Sequence, residues 1–113
     1  MSDAPVWAAE RSAERYLKAR GLKTAHRNYR TRRGEIDLVM RDRNELVFVE
    51  VRHRSDRRHG SAAASVGPQK QRRLLAAAQH YLQRYGDQPC RFDVLAFDGD
   101  AEPEWIPDAF QAN

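Results

Sequence analysis

Cysteine is almost missing: Cys90 is the only one in 113 residues. That excludes an internal disulfide and a structural zinc site built from cysteines, and it makes a reducing cytoplasm the expected setting. No stretch approaches the ~18 consecutive apolar residues of a membrane span, so no membrane partner is expected. The first residues, MSDAPVWAAERSAER, lack the basic segment followed by an apolar core that marks a secretory leader. There is no Gly-rich phosphate cradle of the nucleotide-binding kind, no internal repeat and no low-complexity tract. His53 and His59 have no second ligand pair, which speaks against zinc. Ser61 and Ser65 lack a nucleophile elbow, and nothing orients Cys90 against a histidine.

What is abundant is arginine. Of 20 basic residues, 17 are Arg, and residues 1–75 hold 18 Lys/Arg against 9 Asp/Glu. Residues 76–113 reverse the balance, with 2 against 7. Arg offers a planar fork suited to phosphate oxygens, and a basic surface attracts polyanions through counterion release. Nucleic acid or another polyanion is the expected partner, although codon composition alone can also enrich Arg.

The length suits one domain spanning residues 1–113. A first helix is expected from Asp3 as cap and Pro5 in the first turn to an exit at Gly21, with Val6, Ala9, Ala13, Tyr16 and Leu17 at helical spacing. Residues 23–30 make a weak strand candidate. Gly34–Met40 and Glu45–His53 are rich in β-branched and aromatic residues and read as a hairpin joined by Arg41–Asn44. Residues 54–67 are an aperiodic basic loop. Pro68 opens a second helix with Leu74, Ala78, Tyr81, Leu82 and Tyr85 on one face, and Gly86 stops it. Arg91–Phe97 is a strand, Asp98–Asp100 a turn, and Glu104–Ile106 a short last strand before an acidic tail. The order predicts an α/β fold, with a mixed central sheet of four to five strands and a helix on each face.

Two acids interrupt the apolar strands. Asp37 sits in GEIDLVM and Glu50 in VFVEV. Alternation puts Glu35, Asp37 and Val39 on one face of their strand, and Leu46, Phe48, Glu50 and Arg52 on one face of the next. Pairing Met40 with Glu45 sets Asp37 opposite Phe48 and Glu35 opposite Glu50. Asp37 and Glu50 are then diagonal neighbours on the order of 5–8 Å apart at Cβ. Two carboxylates that close repel unless a cation lies between them, and oxygen ligands on a sheet favour Mg²⁺ or Mn²⁺. Pairing of each acid with an arginine is the ordinary alternative. Glu10, at the rim of the first helix's apolar stripe, is either a third carboxylate facing the sheet or a snorkelling side chain. Arg52 points the same way as Glu50 and suits stabilisation of charge on a phosphate. Its high pKa bars it from acting as a base. Lys70 and Gln71 stand in the first turn of the second helix, where phosphate binding is favourable and where a solvated turn is the plainer reading.

The blocks R-N-Y-R at 27–30, R-R-G-E-I-D-L at 32–38, L-V-F-V-E-V-R at 46–52 and C-R-F-D-V at 90–94 resemble the YraN-like family. That family is similar to the restriction-endonuclease-like superfamily, with its D…(D/E)-x-K motif, and to archaeal Holliday junction resolvases. The resemblance implies metal ligation by Asp37, Glu50 and the Val51 carbonyl, with Glu10 assisting, and catalytic roles for Asp37, Glu50 and Arg52. Gln71 matches a polar position on the second helix. Arg52 stands where the superfamily motif has Lys, which removes a lysine base from that position. The implied function is divalent-metal-dependent DNA cleavage, with branched or junction DNA as the candidate substrate, Arg54, Arg57, Arg58, Lys70 and Gln71 binding nucleic acid and a homodimer supplying two sites. The alternatives are a catalytically inactive nuclease-fold module that binds nucleic acid, and a small basic protein that binds another protein.

Overall fold

The computed structural model describes residues 6–54, 66–98 and 102–111, the side chains of Val6, Trp7, Arg54 and Asp98 excepted. Asp3, Pro5, most of the 54–67 loop with Arg57 and Arg58, and the tip of the 98–100 turn lie outside the described residues. The elements run α1 (Val6–Lys18), β1 (Lys23–Arg30), β2 (Glu35–Asp42), β3 (Glu45–Arg54), α2 (Pro68–Tyr85), β4 (Cys90–Asp98) and β5 (Glu104–Phe110). The five strands form one sheet in sequence order. Every pairing is antiparallel except β3 with β4, which α2 joins as a parallel crossover.

The mixed sheet carries one helix on each face, an arrangement consistent with a nuclease-like α/β core. Ala13 and Leu17 of α1 pack with Leu38, Met40, Val47, Val49 and Leu95. Leu74, Ala77, Ala78 and Tyr81 of α2 pack with Ile36, Val39, Phe48, Val94 and Ala96. β3 is therefore covered on both sides, which is why it reads as an unbroken apolar run apart from Glu50. Phe48 is fully buried beside Tyr81 and Phe92, and its truncation to Ala would cost about 3–5 kcal/mol. Glycines close both helices, Gly21 at φ +99° and Gly86 at φ +107°, and the Gly86 N–H donates to the Leu82 carbonyl. Among the described residues no helix is long and apolar enough to cross a membrane.

Three local expectations are corrected. The β2–β3 connection is two residues, Arg43 and Asn44, rather than Arg41–Asn44, because Asp42 pairs with Glu45. Arg43 accepts φ +60° to make this turn. The register consequently moves by two, so that Val39, not Asp37, faces Phe48. β5 continues to Phe110 instead of ending at Ile106. Pro107 is tolerated there because β5 lies at the edge of the sheet.

The third correction concerns alternation itself. Ile36 and Val39 both join the α2-side cluster, while Leu38 between them joins the α1 side. On β1, likewise, His26 and Tyr29 both meet Tyr81 of α2, while Arg27 turns to Glu14 of α1. The ladder pairs Arg27 with Leu38 and Tyr29 with Ile36 but omits the pair between them, Asn28 with Asp37. Asn28 takes φ +52°, a region asparagine enters more readily than most residues. Both strands slip by one residue at the same point. Asp37, expected to share a face with Glu35 and Val39, sits at the slip instead.

Candidate active site

The slip lets one side chain serve both faces of the sheet. Continuing the β2–β3 register would place Asp37 opposite Glu50 and Ile36 opposite Val51, but the ladder stops at Leu38 with Val49. The Val51 N–H instead donates to Asp37 Oδ2 at 2.9 Å. Asp37 thus replaces a strand carbonyl and is held against the peptide of the residue expected to ligate metal. Glu50 lies beside it on the α2 side, 3% exposed. Burial first, and the Asp37 charge second, push the Glu50 carboxyl up to about 8. No donor is turned to its buried Oε1, and Asp37 lies near enough for the two carboxyls to share a proton. Such an atom costs free energy unless something absent from the bare chain completes it.

Glu10 approaches Asp37 from α1. It is buried, and its carboxyl is raised chiefly by that burial and then by the Asp37 charge. Asn28 hydrogen-bonds it and Arg30 attracts it, both lowering it in part. Asn28 and Arg30 are site residues the sequence reading missed. Strand alternation gave no signal for Asn28, because its position depends on the slip.

Two cations face Glu50 from the other side. Arg52 Nη1 and Lys70 Nζ each lie 3.6 Å from Glu50 Oε2, and both side chains are a third exposed. Lys70 reaches the strand from the first turn of α2, which makes it a member of this site and not only a solvated helix start. The Gln71 amide donates to the Val66 carbonyl at 2.9 Å and secures the entry to α2. Arg54 ends β3 with its side chain undescribed, and Arg57 and Arg58 lie outside the described residues.

The profile of an uncharacterised protein family, UPF0102, matches residues 9–97, a span that includes Glu10, Asp37, Glu50, Arg52 and Lys70. The chain belongs to the UPF0102 family. It is 61% identical to a UPF0102 protein of Ralstonia pickettii over 109 residues, covering 91% of this chain and 86% of the relative. It is 55% identical to one of Aeromonas hydrophila over 105 residues, covering 89% and 80%. A third relative, from Methylobacillus flagellatus, is 54% identical over 92% of this chain and 94% of its own length.

In this UPF0102 chain the acids come together in pairs through Asp37. Among the described residues, no three Asp, Glu, His or Cys side chains close around one metal-sized point. The Asp37–Glu50 pair nevertheless suits a hard divalent cation. Its donors are carboxylate oxygens, one of them an orphan, and Mg²⁺ commonly takes one or two carboxylates while keeping several waters. A second buried acid shows what full satisfaction looks like. Asp93 accepts from Arg91 Nε at 3.0 Å, Trp105 Nε1 at 2.9 Å and the Asp108 N–H at 3.0 Å. Glu14, also buried, accepts from Thr24 and Arg27. Its carboxyl is lowered, first by the Arg27 hydrogen bond. Neither of these acids is left wanting a partner.

Proposed function

We propose that this UPF0102 protein is a divalent-metal-dependent DNA endonuclease of the restriction-endonuclease-like superfamily, acting on branched or four-way DNA. The observation that carries the reading is Glu50, a buried carboxyl beside Asp37 with an unpartnered oxygen. Asp37, Glu50 and the Val51 carbonyl would hold Mg²⁺ or Mn²⁺, with Glu10 engaged through Asp37. Such an ion supplies Lewis-acid activation of the attacking water and neutralises charge at the scissile phosphate. The protein's own cations do the rest. Arg52 and Lys70 would turn from Glu50 to the phosphate oxygens as the ion takes their place. There they would stabilise the negative charge that builds up during displacement. Lys70 brings an ammonium to the site although strand position 52 carries Arg. Arg54, Arg57 and Arg58 would contact the DNA backbone without reading sequence. A two-fold dimer would give the paired sites that symmetric cutting of a junction needs.

One observation favours a second reading, a nuclease fold retained for binding alone. Both cations lie on the same Glu50 oxygen, as they would if a fixed ion-pair cluster had replaced the metal. Purified protein with Mn²⁺ or Mg²⁺, given single-stranded, duplex and four-way DNA, decides between them. The nuclease reading expects nicking that Asp37→Ala and Glu50→Ala both abolish, a matched loss that a contaminating nuclease would not show. DNA binding with steep salt dependence but no cutting by any of the three proteins gives the result to the binding module.

A further inference from the structure

A second basic feature lies away from the carboxylates, in the turn that joins β1 to β2. Residues 30–33 read Arg-Thr-Arg-Arg, three arginines in four positions. The turn is rigid. The Thr31 N–H donates to the Gly34 carbonyl at 2.8 Å, and Thr31 Oγ1 accepts from the Gly34 N–H at 3.1 Å and the Arg33 N–H at 3.2 Å. It is also docked: Gly34 is buried so closely on α2 that a Cβ there would collide with the Arg73 carbonyl. Between the turn and α2 runs an open groove of about 690 Å³ lined by Arg30, Thr31, Arg32, Arg33, Ala76 and His80.

Among the described residues, no acid lines this groove. Arg30, Arg32 and Arg33 are exposed; the salt bridge between Arg30 and Glu35 is long at 3.7 Å and open to water, so it holds the side chain only weakly. His80 is oriented across the groove by the hydrogen bond between its Nδ1 and the Tyr29 hydroxyl, 2.6 Å. Pre-fixed backbone means that little ordering remains to be done on binding. Arg30 also attracts Glu10, so the positive charge of this turn is felt at the carboxylate site.

We propose that the groove between the β1–β2 turn and α2 is a phosphate-backbone cradle, in which Arg32, Arg33 and Arg30 hold the flank of a DNA duplex that runs on to the carboxylate site. The choice of DNA rests on the nuclease-fold reading above; the polyanion character rests on the groove. The cradle adds affinity without reading sequence.

Fluorescence anisotropy of the full chain with a labelled random-sequence duplex, in EDTA so that no cutting occurs, tests it. The Arg32→Ala/Arg33→Ala double variant should bind roughly tenfold more weakly and lower the salt slope by about 2. An Arg15→Ala/Lys18→Ala variant, losing equal charge from α1 across the sheet, should lose far less. Equal losses from the two double variants would overturn the cradle, as would a labelled polyglutamate binding as tightly as the duplex. Duplex binding that depends on Arg32 and Arg33 without any cutting in Mn²⁺ leaves the cradle standing and removes the nuclease reading. Cutting with binding indifferent to Arg32 and Arg33 does the reverse.

Discussion

Asp93 and Glu50 lie on adjacent central strands of one sheet, at 1% and 3% exposure, yet their surroundings are opposite. Asp93 receives a guanidinium, an indole N–H and a backbone N–H. Arg91, which binds it, also reaches Asp42 and Glu45 at 3.1 Å and so ties β4 to the turn end of the hairpin. Glu50 has a like charge next to it, two cations at the loose distance of 3.6 Å, and an oxygen with no partner. One acid is spent on architecture. The other is held in a state that the bare chain does not relieve, which is the condition expected of a group that awaits a ligand.

The comparison can be broken first at its satisfied end. Asp93→Ala should destabilise the fold by about 3–5 kcal/mol in urea unfolding, because Arg91 and the Trp105 N–H lose a buried partner. A cost near zero would mean that Asp93 is not the tie described here.

Glu50→Gln should act in the opposite direction. The native Glu50 carboxyl titrates at about 8 against an ordinary 4.5. The folded state therefore keeps a proton that the unfolded chain releases, so this group's stabilising contribution is complete below about pH 4.5 and disappears as pH rises through about 8. In EDTA, the unaltered protein should lose several degrees of melting temperature between pH 5 and pH 8.5 through this group. Glu50→Gln should remove that part of the slope and melt higher at pH 8.5. A variant that melts lower at pH 8.5 would show Glu50 to be a stabilising ion-pair member.

Glu14 supplies the intermediate case. It is buried and satisfied by Thr24 and Arg27, but at the edge strand and partly through an exposed guanidinium. Thr24→Val should cost about 1 kcal/mol, the net worth of one side-chain hydrogen bond, measured by the same unfolding.

Which of these acids was legible in sequence follows from the kind of interaction each makes. Glu50 and Asp37 announced themselves as charges inside apolar strands, and any antiparallel register of odd sum puts them on one side. The hairpin, both helices and a mixed sheet between them followed from periodicity and from breakers such as Pro68 and Gly86. The two-residue turn did not, because Arg43 adopts a positive φ that composition assigns to Asn or Gly. The slip at Asn28 and Asp37 did not either, since strand alternation assumes that successive side chains keep changing faces, and here both strands miss a step together. Lys70 was visible as a helix-start cation, but its reach to Glu50 depends on how a helix twenty residues away in sequence crosses the sheet. Nothing in the sequence singles out Asp93, because its partners Trp105 and Asp108 arrive from β5, which runs on past Ile106.

The most direct test of the central claim is a Mn²⁺ titration by calorimetry at pH 8.5, without nucleic acid. The unaltered chain should show a saturable site that Asp37→Ala and Glu50→Gln each abolish and Asp93→Asn leaves intact. Absence of Mn²⁺ binding in the unaltered chain, or binding indifferent to positions 37 and 50, would contradict it.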